Sequence, residues 1–426
     1  MQRADLILHN IGQLVTCASP VGPKRGDEMR ELDIIEDAAV SIENGQIAGV
    51  GRSAELLAQF ESESMIDVGG CVVSPGFVDP HTHIVYGGNR LDEFEKRIGG
   101  TDYLEILKAG GGIISTVKST RDADVSGLIE AGMGRLGKML DSGTTMVEIK
   151  TGYGLNTETE LKMLEAIARL DLEHPVDIVP TMLAAHAFPP EFAEDRDGYV
   201  DMICGEILPK AWDWYAASHF SKKKTPIFAD VFCETNAFDL IQSERVLKTA
   251  KALWFGIKAH CDEFSNLGSS GLAIGLGAVS IDHLDKISEA EIDLLARSTT
   301  IGVVTPSVNF NLGSCEFADA RRLIDHGCAV AVSTDYNPGS APCPSQAMTM
   351  AIACRYQRLL PSEALNAATI NAAYALGQGH LAGSIEPGKR ADLIVCDTRD
   401  YREIAYEFGG NVVGKVVKGG RLVYDA

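Results

Sequence analysis

Short apolar runs recur through the middle of the chain, and most of them end on a polar or charged side chain. They are GFVDPHTH (76–83), TTMVEIK (144–150), VDIVPTM (176–182), ADVFCE (229–234), GIKAH (256–260), AVSIDH (278–283), IGVVTP (301–306) and AVAVSTD (329–335). Their length and their Val, Ile and Thr content predict strands, and helical periodicities lie between them. Thr157 with Glu160, and Ser288 with Glu291, have the spacing of capping boxes at helix starts. Behind the first of these, Leu161, Leu164 and Ala168 share one helical face, the stripe that a helix needs to cover a sheet. Eight such strand–helix units predict an α/β fold, a (β/α)8 TIM-like barrel with its reactive groups at the C-terminal strand ends. A doubly wound open sheet is the competing architecture, but no Gly-x-Gly-x-x-Gly turn follows the first run.

The two ends of the chain read differently. Residues 5–73 are strand-rich, with Asn44-Gly45 between apolar runs as a hairpin signal, and residues 388–426 look alike. A small composite β-sandwich built from both termini follows, dividing the chain into 1–74, a 75–387 barrel and 388–426. The connection from Ile84 to Gly143 carries Arg90, Tyr103 and the run Gly110-Gly111-Gly112. Connections of that length often act as lids over a site.

Composition narrows the function. The 426 residues can bury a large core, and 45% hydrophobic with 23% charged residues is ordinary for a globular protein. A net charge of -21 repels phosphate backbones and anionic lipid, so neither nucleic acid nor a membrane is an expected partner. The first ten residues hold an apolar run too short for a signal peptide, and no later run approaches the roughly 20 residues of a membrane span. Ten cysteines without a Cys-x-x-Cys pair point to a reducing, cytoplasmic setting.

Four strand ends carry the candidate chemistry. His81 and His83 are one residue apart, and alternate strand positions share a face, so both imidazoles point the same way. His260 and Asp335 end later runs. Three histidines and a carboxylate hold a borderline di- or trivalent ion with a position left for water. Such an ion lowers the pKa of bound water from 15.7 toward about 7, which points to hydrolysis. Asp335 is also placed to take the proton of the attacking water, although Ser-Thr-Asp before Asn337-Pro338-Gly339 is turn chemistry as well. His283 ends the next run after that of His260 and serves as a proton donor to a carbonyl oxygen or as a fourth histidine ligand. Glu263, three residues past His260, is a candidate proton carrier to a leaving nitrogen.

PGFVDPHTH, the His260, His283 and Asp335 strand ends, NAATINAAYALG and the closing GSIEPGKRADLIVCD together resemble the amidohydrolase superfamily over the whole chain. Within it, HTHIVYGGNR, EIKTGYGL, PTMLAAHAFP, KAHCDEF, the histidine of IDHLD and STDYNPGS match members that open an imidazolone ring. The resemblance implies hydrolysis of the small molecule 4-imidazolone-5-propanoate to N-formimidoyl-L-glutamate, on Zn2+ or Fe3+, in a homodimer. It places Arg90 on the propionate, a role that suits its planar fork. It makes Tyr153, His186, Glu263, Asn337, Gly339, Ser340 and Tyr103 substrate contacts. Taken alone, Tyr153 reads equally as packing, His186 as a core histidine and Gly339 as a turn residue. Relatives with two metals carry a modified lysine at the end of the fourth strand, where this chain has Phe232-Cys233-Glu234, and Lys150 ends the second strand instead. One ion per subunit follows, with Glu234 the residue to watch as ligand for a second. The alternatives are a metal-dependent deaminase of a nucleobase or related heterocycle, and a non-catalytic scaffold of the same fold.

Overall fold

A computed structural model describes residues 1–101 and 111–426. Among them the eight expected strands form one parallel sheet: β1 (Phe77–Asp79), β2 (Thr144–Lys150), β3 (Asp177–Ala185), β4 (Phe228–Cys233), β5 (Gly256–Cys261), β6 (Ser280–His283), β7 (Ile301–Val304) and β8 (Val330–Val332), each paired with its neighbour in sequence. The ends of the sheet meet beyond the strands themselves. Thr82 bridges Tyr336 in parallel, and the His83 N–H donates to the Tyr336 carbonyl at 2.9 Å. The chain is thus an eight-stranded parallel barrel.

Two strands are shorter than their sequence runs. β1 stops at Asp79 and β8 at Val332, so His81, His83 and Asp335 lie beyond the ladder. Side chains replace the missing ladder bonds: the Thr334 hydroxyl donates to Asp79 Oδ2 at 2.5 Å, and the Ser333 hydroxyl to the His81 carbonyl at 2.7 Å. Both stretches are thereby tied to each other before they reach the site.

The helix Thr157–Glu173 buries Met163, Leu164, Ile167 and Leu170 against the barrel. Its start differs from the expected capping box. Asn156 is the cap, its side chain accepting the Thr159 N–H at 2.8 Å. Glu160 instead turns inward and accepts the N–H groups of Gly152, Gly154 and Leu155. Buried N–H groups need acceptors, and one carboxylate here satisfies three in the loop after β2. At Ser288 the box forms, with Glu291 accepting the Ser288 N–H at 3.1 Å.

The long connection after β1 is largely helical where it is described, with helices Leu91–Ile98, Ile113–Asp122 and Val125–Asp141. Arg135 from the last of these donates to the carbonyls of Ile84 and Tyr86 at 2.7 and 3.0 Å and lies 3.4 Å from the Tyr86 ring centre. That anchors the segment leaving His83.

Strands from both termini form a separate sheet, including Leu6–Val15, Ile34–Glu43, Gln46–Arg52, Val72–Pro75, Leu393–Cys396, Val413–Lys418 and Arg421–Asp425. Asn44 and Gly45 make the expected hairpin turn, both at positive φ, 52° and 77°. No helix among the described residues is long and apolar enough to cross a membrane.

Candidate metal centre

Side chains from three separate stretches come together above the barrel. His81 Nε2 lies 3.2 Å from His83 Nε2, which lies 3.4 Å from His260 Nε2. Asp335 Oδ1 is 3.6 Å from His81 Nε2 and 3.5 Å from His83 Nε2. Ligands about 2.1 Å from one ion stand about 3.4 Å apart in a tetrahedron, so these separations suit a metal ion, and ligand atoms of His81, His83 and His260, and of His81, His283 and Asp335, form two overlapping groups each within 4.8 Å.

The protonation pattern agrees. His81 donates Nδ1–H to Asp282 Oδ2 at 2.7 Å, which leaves its Nε2 lone pair facing the other imidazoles. His260 Nδ1 lies 3.0 Å from Asp230 Oδ2. Burial first, and neighbouring groups second, hold His81 and His83 well below the usual histidine range, which favours neutral imidazoles with a lone pair free. Asp335 Oδ1 is buried without any hydrogen-bond partner, and burial pushes its carboxyl up to about 8. Lone pairs and an orphaned carboxylate oxygen facing one point are stabilised by a cation and by little else.

His283 and Asp335 both hold positive φ, 82° and 50°. Non-glycine residues enter that region at a cost of about 1–3 kcal/mol each, and such residues cluster at working sites. Thr305 Oγ1 meets His283 Nδ1 at 3.0 Å, while His283 Nε2 is buried, without a partner, and 3.9 Å from Glu263 Oε2. Burial, reinforced by Asp335 and Asp285, raises the Glu263 carboxyl well above its ordinary value.

A charged layer beneath the imidazoles has no counterpart in the sequence reading. Lys150 and Lys258, both fully buried, stand among Glu148, Asp230 and Asp282. Burial alone would lower the Lys150 ammonium, but Asp230, Glu148 and Asp282 raise it above its ordinary value. The signal was present: Glu148 and Lys150, Lys258 and His260, and Ser280 and Asp282 alternate within otherwise apolar strands, and alternate residues share a face.

Around the cage, His186 stacks on His83 with ring centres 5.0 Å apart, and its Nδ1 meets the Gly152 carbonyl at 3.1 Å. Burial lowers His186 to about 3, so it is neutral. Gly152 has φ 100°, and a Cβ there would meet His186 Nδ1 at 2.9 Å, so turn and histidine both require glycine. Tyr153 is buried, its ring centre 5.4 Å from that of His186 and 5.9 Å from that of His83. Arg90 donates Nε–H to Glu93 Oε2 at 2.8 Å, and its Nη2 meets Glu93 Oε1. Glu93 also accepts the Gly112 N–H at 2.8 Å, joining Arg90 to the glycine run. Tyr103 lies outside the described residues.

Two expectations change. Asn337 accepts the N–H groups of Gly339 and Ser340 at 2.8 Å each and donates to the Asp335 carbonyl at 2.7 Å and the Ser340 hydroxyl at 2.8 Å. Its amide is saturated inside the turn and has no capacity left for substrate. Glu234 accepts the N–H groups of Thr235, Phe264 and Ser265 and the Ser265 hydroxyl. It braces the loop that carries Glu263, and no lone pair is left to hold a second metal.

Comparison with known proteins fits this geometry. Residues 255–423 match the model of the amidohydrolase family. The chain is 50% identical over 423 residues to the imidazolonepropionase of Chloroflexus aggregans, covering 99% of each chain. The chain belongs to the imidazolonepropionase family. A second member, from Herpetosiphon aurantiacus, is 47% identical and covers 99% of this chain and 98% of its own. Among solved structures, a zinc-bound adenosine deaminase from Xanthomonas campestris superposes with a TM-score of 0.72 at 22% identity, covering 99% of this chain and 93% of its own. That likeness carries the fold alone. As a member of the imidazolonepropionase family the chain is a hydrolase with a metal-binding site.

Proposed function

We propose that this chain hydrolyses the ring C–N amide bond of 4-imidazolone-5-propanoate to give N-formimidoyl-L-glutamate, a step of L-histidine degradation. The clustering of His81, His83, His260 and Asp335 around His81 and His83, in a chain of this family, carries the reading. Those four residues hold one Zn2+ or Fe3+ per subunit; when bound, such a cation makes water nucleophilic at neutral pH and polarises a carbonyl.

The side chains divide the remaining work. Asp335 takes the proton of the attacking water. With the Thr305 hydroxyl donating to Nδ1, His283 carries its proton on Nε2 and donates it to the carbonyl oxygen as negative charge develops there. Glu263, whose carboxyl is raised by desolvation, delivers a proton to the leaving ring nitrogen. Arg90 meets the propionate with the guanidinium edge that Glu93 leaves free. Neutral His186 and Tyr153 border the ring, and Gly339 and Ser340 close the pocket on the Arg90 side. Tyr103 is a further contact on sequence grounds. The working unit is a cytoplasmic homodimer, which gel filtration and cell fractionation test.

The deaminase alternative draws its support only from remote structural likeness, whereas the relatives at 50% and 47% identity are imidazolonepropionases. The scaffold alternative implies lost ligands, whereas His81, His83, His260 and Asp335 are all present in this chain. An assay following loss of imidazolone absorbance, with metal analysis of the same sample, tests the proposal. Activity on guanine or cytosine but not on the imidazolone would sink it.

A further inference from the structure

The charged layer below the cage raises a separate question, because a fully buried cluster of three carboxylates is costly unless it is neutralised. Lys150 Nζ lies 2.7 Å from Asp230 Oδ2, 2.8 Å from Glu148 Oε2 and 3.6 Å from Asp282 Oδ2. Lys258 Nζ is held 2.7 Å from the Pro80 carbonyl and 2.9 Å from Glu148 Oε2. Neither lysine is exposed at all. The same carboxylates reach the cage, Asp282 through His81 and Asp230 beside His260.

The carboxylate pocket has the spacing of a cation site. Oxygens of Glu148 and Asp282 lie within 4.8 Å of one another and of a ring nitrogen of His81, whose Nδ1–H is already given to Asp282, and Asp230 Oδ1 is buried with no hydrogen-bond partner. Lys150 is the group that lies between these carboxylates. From this we infer that the Lys150 ammonium is the second positive charge of the site, built into the chain, and that it fills a place between these carboxylates that a small cation would otherwise take. Lys258 cannot do the same, since one of its hydrogen bonds is spent on the Pro80 carbonyl and its distance to Asp282 Oδ2 is 3.8 Å. With Lys150 in place the layer sets two ammoniums against three carboxylates, and the residual negative charge lies under the cage, where it favours the single cation above. Without Lys150 one ammonium faces three buried carboxylates, and a small cation with its water can restore the balance if room is left for it. The inference rests on the reading of His81, His83, His260 and Asp335 as a cation cage.

The test is the metal content of wild type, Lys150→Met and Lys150→Ala, purified after growth with zinc and dialysed against buffer. The Met side chain removes the charge but fills the volume; the Ala side chain removes both. Wild type and Lys150→Met are expected to hold one zinc per chain and Lys150→Ala two. The thermal midpoint of Lys150→Ala should also keep rising with added zinc beyond the concentration at which wild type no longer responds. An Ala variant that stays at one zinc per chain, or that fails to fold even with zinc in excess, overturns the inference, because the ion then does not replace the ammonium. Wild type that retains no zinc or iron at all would instead remove the cage reading beneath it.

Discussion

The Arg90 guanidinium lies against the Cα of Gly339 so closely that a Cβ on that glycine would meet Nη1 at 2.0 Å. Gly339 is not among the glycines at positive φ, so the turn itself accepts alanine. What it does not accept is alanine together with Arg90 in its present place. The residue that reads in sequence as a turn former is a spacer for the arginine.

Gly339→Ala is therefore expected to raise KM for the imidazolone by about 10-fold or more with little change in thermal midpoint, since displacements of about 1 Å in a positioning group are costly in catalysis. Arg90→Ala should give the same signature, because charge-assisted hydrogen bonds are worth about 1.5–3 kcal/mol. The double variant should be no worse than Arg90→Ala alone. Fully additive losses in steady-state kinetics would show that the two residues act separately.

Removal of a ligand and removal of its support should differ in degree. His260→Ala is expected to lose metal and activity together. Asp282→Asn, which weakens the hold on His81 Nδ1, should lower metal affinity by about 10–100-fold while leaving a folded, reloadable protein. Competition against a chromophoric chelator measures both. Unchanged affinity in Asp282→Asn would mean that His81 is oriented by packing alone.

Asn337 makes four hydrogen bonds within its turn and holds the Asp335 carbonyl. Asn337→Ala should lower stability by about 1–3 kcal/mol and reduce kcat through Asp335, with KM little changed. A raised KM at wild-type stability would return Asn337 to the substrate contacts.

Asp262 sits behind the cage, accepting the Ser270 and Ser269 hydroxyls at 2.5 and 3.2 Å, and burial pushes its carboxyl from 3.8 up to about 6. The folded state then binds more protons at this group than the unfolded state between those values, so the contribution of Asp262 to stability falls as pH rises from about 4 to about 6 and is constant above. Asp262→Asn removes that slope, and each hydroxyl can still pair with the amide. Urea midpoints should show the variant gaining on wild type across this window and keeping the gain at higher pH. Parallel curves would place the proton elsewhere.

The sequence by itself determined the order of the eight strands, the pairing of His81 with His83, the ends that carry His260, His283 and Asp335, and the Asn44-Gly45 hairpin. Each of these is local: a run of Val and Ile, a repeat of two, a turn residue that tolerates positive φ. The roles of Glu160, Asn337, Glu234 and Gly339 were not legible, because each is set by which backbone or guanidinium comes to lie beside it. Only the tertiary structure decided that Glu148, Lys150, Asp230, Lys258 and Asp282 share one buried layer. Alternation along one strand puts such residues on a shared face but does not bring the faces together, and their burial is tolerable only because ammonium and carboxylate, supplied by β2, β4, β5 and β6, meet across the barrel.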